Sequence, residues 1–173
     1  NLIARASELQ TEGLSGAGQA AFKLSRFAEA ERYFESVQQQ NPRDAESLHL
    51  LTIARMVRQN DPFRAKLSDH QKGMRVAAIL TRLRERLEEC ASASGQSLNA
   101  LPDGSSLQPL QADWTKLQAQ AAGLLHRPDP EAIDAVMDLT LRIEQQAGGK
   151  CGPPSDLDQA LVLVAQNREA HER

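Results

Sequence analysis

Apolar positions recur at helical spacing along nearly the whole chain. Leu2, Ala6 and Leu9 predict a short helix over 2–10. Two more follow, over 14–25 and 27–40. Asp44 is placed to cap the next one, whose apolar face is Leu48, Leu51, Ile53, Met56 and Val57. Asn60, Asp61 and Pro62 break the chain, and a capping box of Ser68 with Gln71 starts the longest helix, to about residue 91. Its apolar side is Val76, Leu80, Leu83, Leu87 and Cys90. The segment 93–109 is polar and rich in Gly, Pro and Ser, and reads as a linker or mobile loop. Helices are then expected over 110–125, 130–146 and 156–169. Ile133, Val136, Met137, Thr140 and Ile143 form the stripe of the second, which Gly148 and Gly149 end with left-handed cap geometry. Ser155 caps the last, and its LDQALVLVA run is apolar on almost every side. Period-two clusters of β-branched or aromatic residues are missing. The fold class is all-α, built of antiparallel helical hairpins.

Between Gly18 and Pro42 the pattern is narrower than a generic helix pair. Gly18 and Ala21 keep the first helix thin, so that the second can approach. Ala30 and Phe34 share a face one turn apart, Phe27 stands at the corner, and Pro42 stops the second helix. Leu14, Ala17, Gly18, Phe27, Ala30, Phe34 and Pro42 together make this stretch resemble a tetratricopeptide repeat, a helix pair of roughly 34 residues. The first-helix aromatic is displaced, since Ala21 is followed by Phe22. A second repeat begins one period on but is degenerate. The C-terminal helices carry no repeat signature and are suited to covering the open end of a stack.

The resemblance implies a right-handed stack over 1–92; the non-repeat helices of 110–173 are expected to pack on it as one continuous domain, with a second small domain as the alternative. The resemblance also implies a scaffold whose groove holds a peptide or helix of another protein. Carried onto this chain, the groove shows Ser15, Gln19, Phe22 and Lys23, continuing into His49 and Ile53. Relatives that bind chaperone tails clamp a carboxylate with Lys and Asn, and Ser15 and Gln19 stand there instead. Phe22 and Ile53 favour a partly apolar segment. The other reading is a structural subunit, a homo-oligomer that self-associates through the helix over 2–10.

Charge changes this picture little. Residues 1–92 carry 14 basic and 12 acidic side chains and residues 93–173 carry 6 and 11, which sums to the net −3. Neither half has the basic, aromatic-laced character of a nucleic-acid binder. No apolar run is long enough to span a membrane. Lys72, Arg75, Arg82 and Arg86 share one face of the long helix. That face reads as a docking strip for an acidic peptide, for lipid headgroups or for the acidic C-terminal part, or as a solvated face beside Glu85, Glu88 and Glu89.

Catalytic constellations are not found. His49, His70, His126 and His171 lack the paired spacing of helical metal sites, and no nucleophile elbow, phosphate loop or Cys-x-x-Cys occurs. Neither enzyme activity nor a cofactor is expected. The chain starts at Asn1, as expected of a processed or trimmed product. Cys90 and Cys151, each near a helix end, are expected to form a disulfide closing a loop worth about 4 kcal/mol. Such a bond places the chain in a periplasmic or other extracytoplasmic compartment, in a bacterial envelope assembly. Two unrelated thiols in a cytoplasmic protein are the alternative.

Overall fold

The structure, a computed structural model, describes residues 2–124 and 129–171, and within them not the side chains of 2–4, 6 and 168–171. His126 and Leu125 lie outside the described residues, as do the side chains of His171, Leu2 and Ala6. The described residues form seven helices: α1 (Leu2–Lys23), α2 (Phe27–Gln40), α3 (Ala45–Asn60), α4 (Asp69–Ala93), α5 (Gln108–Ala121), α6 (Pro130–Gly148) and α7 (Asp156–His171). No strand forms among them, and one isolated bridge pairs Ser97 with Ala100. The fold is all-α. The chain divides into two compact units, Asn1–Gln59 and Asn60–Arg173.

In the first unit the two helices expected over 2–10 and 14–25 are one. Gly13 and Gly16 lower helix propensity by about 1 kcal/mol each, but neither breaks an intrahelical hydrogen bond as proline would. The helix therefore runs through both. The turn into α2 closes with Arg26 N–H donating to Ala21 O and with Ser25 left-handed at φ 58°. Gly18 meets Phe34 across the hairpin, and a Cβ added at Gly18 would come within 2.6 Å of Phe34 Cε1. Ala21, Ala30, Phe34 and Leu51 form the core beside this contact. On α3 the buried set is Ser47, Leu51, Ile53, Ala54 and Val57. Leu48, expected on the apolar face, is 48% exposed, because Ser47 takes the inward position next to its Asp44 cap.

In the second unit Ser68 and Gln71 make the full capping box at the start of α4. The buried side of α4 is Val76, Ile79, Leu83, Leu87 and Cys90, with Ile79 standing where Leu80 was expected. All five stripe residues of α6 are buried, and Leu110, Trp114, Leu117 and Ala121 are the enclosed residues of α5. The segment 93–109, read as a linker or mobile loop, lies inside this unit. Leu98 and Leu107 are buried within it, and Gln111 Nε2 donates to Leu98 O at 2.6 Å. The left-handed glycine after α6 is Gly152, at φ 76°, rather than Gly148 or Gly149. Gly149 keeps right-handed geometry, its N–H donating to Ala147 O.

Candidate functional site

In the first unit, α1, the C-terminal end of α2 and the turn into α3 frame a cleft of about 620 Å³. Glu8, Thr11, Glu12, Ser15 and Gln19 line it from α1 at three- and four-residue spacing, with Gln40, Asn41 and Asp44 opposite. Ser15 Oγ stands 3.3 Å from Ser47 Oγ, and Gln19 Nε2 donates to Glu46 at 3.3 Å. Thr11 Oγ1 donates to Gln40 Oε1 at 2.7 Å, which ties the cleft's two walls. Among the described residues that line it there is no lysine, arginine or histidine.

Only part of the predicted groove is assembled here. Ser15 and Gln19 line the cleft, while Phe22, Lys23, His49 and Ile53 do not. Phe22 lies a little further round α1 than Gln19, where its ring meets Phe27 edge-on at 5.3 Å against the hairpin core. Three residues on from Gln19 the helix has rotated far enough to carry the ring inward, and Phe27 supplies the apolar surface there. Lys23 and His49 are exposed, and Ile53 is 3% exposed. The acidic edge of Glu8, Glu12 and Asp44 was not expected from the sequence. Its signal was present as Glu8 and Glu12, one turn apart and in register with Ser15 and Gln19.

The four basic residues of α4 do not form one outer strip. Lys72 pairs with Asp69 at 3.3 Å, and Arg75 donates to the Asp61 carbonyl at 2.6 Å. Burial lowers the pKa of Arg75, and the neighbouring Arg64 adds to the effect. Arg82 and Arg86 point into the second unit instead. Arg86 is 5% exposed, donates through Nη1 to Asp158 Oδ2, and sets Nε 3.2 Å from Glu144 Oε2. Arg82 donates to Asp158 Oδ1 at 3.2 Å and also faces Glu85 and Glu89.

Electrostatics separate the two enclosed acids. Burial pushes Asp158 up, but hydrogen bonds from Ser155 and the charges of Arg86 and Arg82 outweigh it, leaving the carboxyl below its ordinary value. Glu144 goes the other way, to about 7, because burial outweighs the pull of Arg86. Glu144 Oε1 and Arg86 Nη2 are buried without a hydrogen-bond partner, so the pairing leaves part of each charge unsatisfied. Glu144 could have been noticed as a charge on the α6 stripe, between Thr140, Ile143 and Ala147.

Beside this cluster Cys90 and Cys151 are joined in a disulfide with Cα atoms 4.9 Å apart. Among the described residues no group of His, Cys, Asp and Glu is arranged to hold a metal ion. No helix of the described residues is long and apolar enough to cross a membrane. Comparison with protein families, with curated proteins and with solved structures gives no match to this chain.

Proposed function

We propose that this chain is a non-catalytic protein-binding module, related in design to the tetratricopeptide repeat, whose first unit holds a polar segment of another protein. The observation that carries the reading is the cleft on α1, where Ser15 and Gln19 stand among Glu8, Thr11, Glu12 and Gln40. The Gly18–Phe34 contact supports the repeat kinship, since it is the close approach that pattern requires. With carboxylates and amides on its described walls and no basic side chain among them, the cleft favours a hydrogen-bonding segment bearing Lys or Arg. A partly apolar segment suits it less, because Phe22 is turned away.

Panning a random peptide library against the whole chain tests the reading. Enriched peptides are expected to be basic and polar, and Glu12→Lys with Gln19→Arg is expected to weaken them about tenfold or more. Peptides that bind both proteins equally would remove the cleft from consideration. The disulfide favours an oxidising, extracytoplasmic setting such as a bacterial envelope assembly. A self-associating subunit is the second reading, favoured by Leu9 and Leu24 of the first unit, which are 63% and 64% exposed. Light scattering decides it, because a strict monomer at high concentration leaves no room for self-association.

A further inference from the structure

We propose that the Cys90–Cys151 bond is a site of reversible thiol–disulfide exchange, and that its state controls how firmly the buried Arg86–Asp158 cluster holds the start of α7. The placement of residues carries this. Arg82, Arg86 and Cys90 follow one another at four-residue steps and so share one face of α4. Opposite them Cys151, Ser155 and Asp158 lie in one short stretch of chain. The same two segments are thus joined twice, once by a covalent bond and once by charge.

The connector between the two links is stiff. Gly152 makes a left-handed turn at φ 76°, and Pro153 and Pro154 then fix φ by their rings. A hold at Cys151 is therefore transmitted to Ser155, whose N–H donates to Asp158 Oδ2 at 2.9 Å and whose Oγ donates to the same oxygen at 2.7 Å. Asp158 is 1% exposed and receives Arg86 and Arg82 on its two oxygens. Freed at Cys151, the stretch would lose the restraint that keeps Asp158 aimed at both guanidinium groups.

The bond is also reachable. A cleft of about 470 Å³ is lined by both cysteines together with Arg82, Lys150 and Asp158. Cys151 is half-buried while Cys90 is 7% exposed, so an incoming thiolate meets the Cys151 sulfur first. The reductant is a dithiol. Its first thiolate bonds to Cys151 Sγ, the Cys90–Cys151 bond breaks, and the electron pair leaves on Cys90 Sγ. Its second thiolate then displaces Cys151, and the two cysteine sulfurs take up protons. The dithiol ends as a disulfide and the two cysteines as thiols. Lys150, Arg82 and Arg86 line the cleft together with the acids Glu89 and Asp158, so the thiolates form in a polar setting of mixed charge.

The whole chain is treated under native conditions with glutathione and, separately, with dithiothreitol. Glutathione is expected on Cys151 by mass mapping, and glutathione on Cys90 instead overturns the route of attack. Hydrogen exchange over residues 156–165 is expected to speed up on the order of tenfold or more on full reduction, while residues 27–40 keep their rate. Unchanged exchange over 156–165 overturns the coupling. Loss of protection across the whole of 60–173 also overturns it, since the bond would then be a staple and not a switch. Arg86→Lys, kept oxidised, is expected to speed exchange over 156–165 with the bond intact. If it does not, the cluster is not what holds α7.

Discussion

Phe34 in the first unit and Arg86 in the second are both enclosed, at 0% and 5% exposure, but opposite physics holds them. Phe34 is fixed by shape, because the missing side chain of Gly18 leaves the space its ring occupies. Its core neighbours Ala21, Ala30 and Leu51 carry no charge. The Arg55–Glu35 ion pair of that unit lies at the surface and contributes little. Arg86 is fixed by charge and by a covalent neighbour. Removing it would leave Glu144 without its paired cation and Asp158 with Arg82 alone, and the disulfide one turn on holds the chain against relaxing. Shape of the first kind tolerates a change of pH or redox state. Charge of the second kind responds to both.

Truncating the ring makes the sharpest break. Phe34→Ala is expected to lower the first unit's stability by about 3–5 kcal/mol, as seen in chemical denaturation, with hydrogen exchange over 130–148 unaltered. Gly18→Ala should be harmful in the parent chain and stabilising by up to about 1 kcal/mol in the Phe34→Ala background, since the nearest clashes are with the ring and alanine is the better helix former. Equal costs in the two backgrounds would mean that shape does not hold this hairpin.

Glu144 sharpens the other side. Its carboxyl is raised from 4.5 to about 7, so the proton it gains on folding stabilises the second unit. That contribution is fully present below pH 4.5 and is lost as pH rises through about 7. Asp158, whose value is lowered, contributes above its ordinary value and loses that contribution as pH falls through its folded value. Comparing Glu144→Gln with the parent cancels the Asp158 effect. The parent's advantage should shrink by on the order of 3 kcal/mol between pH 4.5 and 8, read from melting curves. A flat difference would show that Glu144 titrates as in water. Nearby charges on the elements packed around it are Arg82 and Arg86 of α4 and Asp158 of α7, while α5 adds Asp113, which accepts from Gln146 Nε2 at 2.9 Å, beside its apolar residues.

The smallest effect tests the turn between α1 and α2. Ser25 is left-handed there, a conformation that glycine adopts without a Cβ penalty, as Gly95 does at φ 66° after α4. Ser25→Gly should add about 1 kcal/mol to the first unit and leave the second unchanged in thermal unfolding.

Local chemistry was readable in the sequence wherever it acts over a few residues. The caps at Asp44, Ser68 and Ser155, the α6 stripe and the small-on-ring pairing of Gly18 all depend on short spacing, and each is found. The paired cysteines were also readable, because the chain has only these two. What failed or stayed open depended on rotation and on distant partners. Phe22 is next to the groove in sequence yet faces the core, a small change of angle around a helix. Of the readings open for the basic face of α4, Arg82 and Arg86 take the one toward the acidic C-terminal part, pairing with acids of α6 and α7 that local spacing could not single out. A charge within an apolar stripe, as at Glu144 and Asp158, was the available hint of that pairing.

The disulfide has a topological consequence. Its separation of 61 residues encloses α5, α6 and the exposed turn around Asp103 and Gly104 in a single covalent ring. A protease cutting once inside that ring opens it without dividing the molecule. The two pieces would migrate together on a gel until a reductant is added, and only then would the cut show as two bands.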